Sequence, residues 1–205
     1  MIELYTAQTS NGHRAAIMLE ECGLPYRVHR LDLFKGEQQH PDYLRLNPAG
    51  QIPTIVDPDG PGGKPLTLTQ SAAIALYLAE KTGRFLPQYP LRRVQAFQWL
   101  MFTVTDVAPA STAIFFQSAL LPDKSPANQA WHEQRLLRFF RLADSRLAGR
   151  EWLADELSIA DFALYPIYAG RKTVIEAAGG LQVLARWGAA LAARPGVARG
   201  MQASA

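Results

Sequence analysis

Residues 46–83 constrain the fold of this chain more than any other part. Leu46-Asn47-Pro48-Ala49-Gly50-Gln51-Ile52-Pro53 is turn chemistry, and it leads into the β-rich run Thr54-Ile55-Val56. Asp57–Pro65, loaded with Pro and Gly, suits a hairpin connection to a second short strand, Leu66-Thr67-Leu68-Thr69. Ser71 then starts an apolar helix that Gly83 ends, glycine being the usual residue just beyond a helix C-terminus. The physical consequence lies at the two joints. Pro53 has no N–H, so it belongs at a strand start or edge. If its bond to Ile52 is cis, residue 52 turns its own N–H and C=O outward, where an extended peptide can pair as an added strand. Ser71 offers a hydroxyl and free N–H groups at a helix N-terminus, which favours a carboxylate. A backbone edge beside an anion pocket suits a small peptidic acid. A plain hairpin followed by a capped helix accounts for the same residues without a ligand.

The chain ahead of this stretch reads strand, helix, strand. Ile2–Thr6 is a short strand and Ala7–Gly12 a polar turn. The helix that follows carries Ala15, Met18, Leu19 and Cys22 on one face and stops at Gly23, with Pro25 behind it. Tyr26–Leu33 is the second strand, parallel to the first through a right-handed crossover. The later hairpin completes a small mixed sheet. Cys22 falls at the buried far end of the helix, where an inert thiol is expected.

Thr9-Ser10-Asn11-Gly12 sits where a strand hands over to a helix, so unpaired N–H groups and the helix dipole favour an anion. Thr, Ser and Asn also cap helices well, and an ordinary N-cap is the simpler reading. A thiolate site makes a larger demand. A free thiol titrates near about 8.5, and lowering that by two units takes about 2.7 kcal/mol. A helix N-terminus supplies about 0.3–1 kcal/mol, or about 2 when partly buried. A hydrogen bond to a charged sulfur supplies about 1.5–3 kcal/mol. Neither alone is safe and the two together suffice, so a hydroxyl or amide donor at the helix start is what that chemistry needs.

Asn47-Pro48…Gln51-Ile52-Pro53, followed by Gln70-Ser71-Ala72-Ala73-Ile74-Ala75-Leu76-Tyr77-Leu78, resembles the glutathione-binding core of the cytosolic glutathione transferase family. The resemblance covers essentially the whole chain. It implies a thioredoxin-like α/β N-terminal domain with a cis bond before Pro53, preceded by Gln51. It also implies that main-chain groups of Ile52 pair with the cysteinyl part of glutathione, and that Ser71 and Gln70 hold its γ-glutamyl end. Many members have an acidic residue where Gln70 stands. Gln38 would lie near the glycyl end, with Lys35 and Arg45 as further candidates for the glycyl carboxylate. Tyr5…Thr9-Ser10-Asn11-Gly12-His13-Arg14 is similar to the Thr-Pro-Asn-Gly-(His/Tyr)-Lys motif of the bacterial Nu-class, disulfide-bond oxidoreductase-like branch. That branch uses Thr and Asn donors toward the sulfur, which implies Asn11 first and Thr9 second. Ser10 replaces the motif's Pro and is a third candidate; Tyr5 is the last. No cysteine stands in this turn, which argues against a mixed disulfide between protein and glutathione.

Length and composition bound the rest. With 205 residues, 48% hydrophobic and 19% charged, the chain has ample core for one large or two modest domains. No apolar run approaches a membrane span, and the strand-like N-terminus shows no signal peptide, so a cytoplasmic location is the default. One cysteine permits no internal disulfide. The net charge of +3 comes from scattered, mostly Arg residues, with no run that tracks a nucleic acid. His13, His29, His40 and His132 have neither metal-ligand nor triad spacing, so no metal is expected.

Residues 84–90, with two prolines, read as a linker, and from Leu91 the character is all-helical. Leu91–Phe116 is one helical run that Pro109 should kink or break. Ala127–Leu147 is amphipathic, with Leu136, Phe139, Phe140, Ala143 and Leu147 in one stripe. Ser158 and Asp161 form a capping box ahead of another helix, and Leu181–Arg194 gives a last one before Pro195-Gly196. The organisation expected is therefore a thioredoxin-like domain (1–83), a linker (84–90) and an all-α domain (91–205), forming a homodimer. A second-substrate pocket is expected along Trp99, Phe102, Thr103, Asp106, Phe115 and Phe116. The function the resemblance implies is a glutathione S-transferase whose activated thiolate attacks a small electrophile. A glutathione-dependent disulfide reductase without a protein cysteine is the first alternative. A non-catalytic glutathione-binding or protein-interaction member of the family is the second.

Overall fold

The computed structural model describes residues 1–203. The chain divides into two compact units. One comprises Met1–Arg84 with the segment from Ala192 onward, the other Phe85–Leu191.

In the first unit, four strands pair in the order β2-β1-β3-β4. They are β1 (Ile2–Thr6), β2 (Tyr26–Arg30), β3 (Thr54–Asp57) and β4 (Leu66–Thr69). β1 runs parallel to β2 and antiparallel to β3, and β4 closes the hairpin on β3. Alternation along β1 sorts its side chains: Ile2, Leu4 and Thr6 are buried, while Glu3 and Tyr5 lie on the other face. Helix α1 (Ser10–Cys22) and helix α3 (Ser71–Thr82) cover the buried face, and Leu4, Ile17, Met18, Leu19, Ile55, Ile74 and Leu78 form a core closed to solvent. On the opposite face lies the short α2 (Pro41–Leu44), whose Tyr43 ring meets Tyr5 at 5.9 Å.

Two boundaries differ from the sequence expectation. β2 ends at Arg30 rather than Leu33, because its partner β1 ends opposite at Thr6. Leu31 gives its N–H to Thr6 O, and Asp32 then turns the chain by accepting from Phe34 and Lys35 N–H. α1 begins at Ser10, inside the stretch read as a turn, because Thr9 is the N-cap and takes the Gly12 N–H on its hydroxyl at 3.1 Å. Gly23 and Gly83 end α1 and α3 in the left-handed conformation, as their sequence positions implied.

The chain's last helix, α10 (Pro195–Ala203), also belongs to this unit and packs on α1. Gly200 allows that contact: a Cβ there would stand 2.5 Å from Ile17 Cα. Arg194 forks onto both carboxylate oxygens of Glu21 (3.0 and 2.7 Å), and Arg199 bonds Glu20 at 2.6 Å.

The second unit is all-helical. Residues 90–120 form one continuous helix: α4 (Pro90–Phe102), a π turn over Thr103–Val107, α5 (Ala108–Phe115) and a second π turn over Phe116–Leu120. Pro109 neither breaks nor ends it. In the π turn the Ala108 N–H reaches back five residues to Thr103 O, which shifts the ladder where the proline would otherwise meet it. This 31-residue helix is long and apolar enough to cross a membrane by length and composition. The sequence reading missed that because Thr103, Thr105, Asp106 and Ser111 interrupt every uniform apolar run.

Helices α6 (Pro126–Arg146), α7 (Ile159–Gly170), α8 (Lys172–Ala177) and α9 (Gln182–Ala192) complete the unit. The α6 stripe of Leu136, Phe139, Phe140, Ala143 and Leu147 is buried as its periodicity implied. The capping box at Ser158 is formed, and the fully buried Asp161 also accepts from Leu153 N–H at 3.1 Å and Trp187 Nε1 at 2.9 Å. Of the segment expected as a linker, residues 85–90 belong to this unit. Phe85 lies edge-on to Phe162 at 4.9 Å, and its carbonyl takes the Ile159 N–H.

Candidate active site

Two helix starts face the same problem, unpaired N–H groups, and the fold of the first unit ties them together. At the start of α1, the main-chain N–H groups of Ser10 and Asn11 have no acceptor among the described residues. Thr9 accepts from Gly12, so its own hydroxyl hydrogen remains available to donate. At the start of α3, Gln70 is exposed and sits at φ 70°, a conformation glutamine adopts at a cost, and its side chain makes no cap hydrogen bond. Ser71 beside it is buried.

Arg14 joins the two helices. Its side chain is buried, and Nη1 donates both to Asn11 Oδ1 and to Ser71 Oγ, the latter at 3.0 Å. Burial lowers its guanidinium to about 10, which leaves it charged at neutral pH. Residues 11 and 71 are thus brought together through a side chain that the sequence reading gave no role. The Lys-to-Arg change in the motif was its signal, but a basic residue on a helix reads as solvated until its tertiary partners are known. His13, also within the motif, bonds the Gly200 main chain, so its place is at the contact with α10.

The Ile52–Pro53 bond is cis, as expected. The loop before it is clamped at Gln51 O, which accepts from the Tyr43 hydroxyl and from Asn47 Nδ2, each at 2.6 Å. The N–H and C=O of Ile52 make no hydrogen bond among the described residues. A rigid loop with an unused backbone pair is an edge to which an extended peptide can add. Tyr43 and Asn47 are supports the sequence reading missed. Gln38 donates to Leu33 O at 3.3 Å while its buried Oε1 has no partner among the described residues. Lys35 and Arg45 are each engaged locally, with Asp32 and Asp42.

Tyr5 is turned away from this site. It lies on the α2 face, its ring stacked 4.5 Å from His29, whereas its neighbour Thr6 is the residue under the first turn of α1. A cleft of about 640 Å³ opens on that α2 face, lined by Tyr5, Leu31, Lys35, His40, Tyr43 and Leu46 among others. Cys22 is twelve helical residues from Ser10, about 18 Å along α1. It is buried, and burial pushes its thiol up. Among the described residues, no three His, Cys, Asp or Glu side chains are grouped to hold a metal.

Residues 10–81 match the model of the glutathione S-transferase N-terminal domain. The chain is 40% identical over 168 residues to the disulfide-bond oxidoreductase YfcG of Escherichia coli, covering 81% of this chain and 78% of that one. The chain belongs to the glutathione S-transferase family. It is also 31% identical over 216 residues to the E. coli disulfide-bond oxidoreductase YghU, covering 97% of this chain and 73% of that one. Among solved structures, a glutathione transferase of Pseudomonas putida with one glutathione disulfide per subunit matches at a TM-score of 0.90 and 35% identity, over 98% of this chain and 90% of that one. A Burkholderia graminis glutathione transferase with two glutathione molecules per subunit also has a TM-score of 0.90 and 35% identity, over 98% and 87%.

Within this glutathione S-transferase fold, the residues expected to line a second-substrate pocket all lie on the helix of residues 90–120, in different environments. Trp99 and Thr103 are buried, and Thr103 turns its hydroxyl back onto Trp99 O. Phe102 packs edge-on against Trp99 and against Phe139 of α6, which makes it part of the second unit's aromatic core. Asp106 is half-buried and accepts from the Thr105 hydroxyl, and Phe115 and Phe116 are exposed. Aromatics at helical spacing are divided here between packing and surface, a division their spacing alone does not reveal.

Proposed function

We propose that this chain is a glutathione-dependent enzyme of thiol chemistry, which holds glutathione along the first unit and stabilises its thiolate at the start of α1. In this reading the cysteinyl part pairs with the main chain of Ile52, next to Gln51 and Pro53. The γ-glutamyl end meets Gln70 and Ser71, and the glycyl end lies near Gln38. Asn11 and Thr9, with Ser10 and the free N–H groups of the helix, supply donors to the sulfur. The observation that carries the reading is the pairing of Asn11 and Ser71 on one buried guanidinium, beside an unused backbone edge at Ile52. The chain takes up an anion at two points and an extended peptide between them, which is the chemistry of a small peptidic acid with an activated thiol.

Two reactions are open to such a thiolate. It attacks an electrophilic carbon and displaces a leaving group, which is glutathione transfer. Alternatively it attacks a disulfide sulfur: a new S–S bond forms, the old one breaks, and the departing sulfur leaves as a thiolate that takes up a proton. A second glutathione then attacks the mixed disulfide, so that two glutathiones and one disulfide give glutathione disulfide and two thiols. The names of the relatives YfcG and YghU favour the second reaction. The buried position of Cys22 means that in this reaction resolution falls to glutathione.

The exposed Leu91, Val94, Met101 and Leu120 on the helix of residues 90–120 support a homodimer that covers them. Asp106, Phe115 and Phe116 are the remaining second-substrate candidates. The absence of a basic stripe supports small-molecule rather than nucleic acid partners, and a cytoplasmic location is in keeping with thiol chemistry.

The test is calorimetric titration with glutathione, with ultraviolet thiolate absorbance read alongside, followed by turnover assays on disulfide and carbon-electrophile panels. Binding with a thiolate band at neutral pH supports the reading. An absence of binding removes the enzyme and leaves the interaction-protein alternative.

A further inference from the structure

We propose that Arg14 is a positioning residue that sets the hydrogen-bond polarity of both anion contacts, so that Asn11 presents its amide N–H and Ser71 its hydroxyl hydrogen to the ligand. The proposal rests on the glutathione reading above and deepens it. Asparagine has one acceptor end and one donor end, and on an exposed helix start nothing in its own chemistry selects which faces outward. A guanidinium has five donors and no acceptor, so a partner of Arg14 must turn an oxygen toward it. Arg14 Nη1 holds Asn11 Oδ1, and Asn11 Nδ2 has no partner among the described residues. Asn11 is itself exposed at the first turn of α1, beside the unpaired N–H groups of Ser10 and Asn11. The same Nη1 donates to Ser71 Oγ, so the Ser71 hydroxyl hydrogen is left to seek another acceptor. Both residues are thereby committed as donors, which is the polarity that a thiolate at one point and a carboxylate at the other require. The opposite polarity would bring an amide oxygen toward a charged sulfur. Arg14 is buried behind both residues and acts through them.

The polarity is tested by Asn11→Asp beside Asn11→Ala. Aspartate keeps the acceptor for Arg14 but has no donor. Asn11→Asp is expected to raise the thiol pKa of bound glutathione at least as far as Asn11→Ala does, by about one unit or more, equivalent to a tenfold loss of thiolate below that pKa. A wild-type thiol pKa in Asn11→Asp would overturn the proposal, because the oxygen would then be the end that faces the sulfur.

The role of Arg14 is tested by Arg14→Met and Arg14→Lys, with folding checked by thermal melting. Arg14→Met is expected to raise the bound thiol pKa as Asn11→Ala does, with no further rise in the double variant, and Arg14→Lys to restore most of the shift. A merely structural Arg14 would lower stability or affinity and leave the thiol pKa of the remaining complex unchanged, which would also overturn the proposal. If wild type binds no glutathione, the functional reading fails by itself. The polarity is then read from the ordering of the Asn11 side-chain amide by 15N relaxation. That ordering is expected to be high in wild type and lost in Arg14→Met, and equal mobility in the two would sink the proposal.

Discussion

Gly12 lies against Thr6 so closely that a Cβ at residue 12 would overlap both Thr6 Oγ1 and Ala7 O. The first turn of α1 therefore rests directly on the end of β1, and that contact sets where Thr9, Ser10 and Asn11 stand. Gly12→Ala is expected to destabilise the first unit by about 1–3 kcal/mol through overpacking against backbone that cannot yield. The readouts are a lowered thermal midpoint and a weakened thiolate band at saturating glutathione. A variant as stable as wild type would show that the helix start can move without consequence.

Gln70 carries a different tension. Its φ of 70° is one that glycine adopts freely and glutamine does not, and such strain costs about 1–3 kcal/mol. Gln70→Gly is expected to relieve about 1 kcal/mol net while weakening glutathione binding, since the side chain proposed to meet the γ-glutamyl end is lost. Gln70→Glu keeps the strain and adds a charge for the ammonium. At an exposed position it is expected to tighten binding by about two- to fivefold, an effect that added salt diminishes. Calorimetry on the two variants at low and high salt reads both effects.

The parts of this fold that were legible in the sequence are those written in local chemistry. The Pro/Gly connection between Asp57 and Pro65, the Ser71 start, the Gly23 and Gly83 stops and the Ser158–Asp161 box each depend on residues within a few positions of one another. What was not legible depends on distant partners. The end of β2 at Arg30 is set by the length of β1. The docking of α10 turns on Gly200 meeting Ile17, far away in sequence, and no periodicity announces it. Arg14 is the sharpest case, because Ser71, one of the two partners of its buried guanidinium, lies 57 positions away in the sequence.

The capping box bears on the second unit's stability. Asp161 is fully buried and collects four donors: the Leu153 N–H, the Trp187 indole, and the Ser158 N–H and hydroxyl. Burial pushes its carboxyl up to about 6 against those donors. In either orientation Asp161→Asn turns an N–H2 toward at least one N–H group that can only donate, and is expected to cost about 2–4 kcal/mol. Thermal unfolding measures the loss. Because Asp161 lies in the second unit, glutathione affinity at a temperature where the variant remains folded should match wild type.

Asp57 gives the first unit a pH dependence of definite sign. It is buried at the end of β3, and burial alone would raise its pKa. The Tyr77 hydroxyl at 2.6 Å, Lys81 Nζ at 2.9 Å and the Asp59 N–H at 3.0 Å outweigh that and hold it below the ordinary carboxylate value. A carboxylate whose folded pKa is depressed binds its proton more readily when unfolded. Its stabilisation is therefore fully present above the unfolded value of about 4, and is lost as pH falls through the lower folded value. Asp57→Asn should be less stable than wild type at pH 7, and the gap should narrow as pH falls below about 4. Urea midpoints across that range provide the comparison. A gap that stayed constant with pH would mean that Tyr77, Lys81 and the Asp59 N–H together do not favour the charged carboxylate over the neutral one, and that β3 is held to α3 by contacts that survive protonation of Asp57.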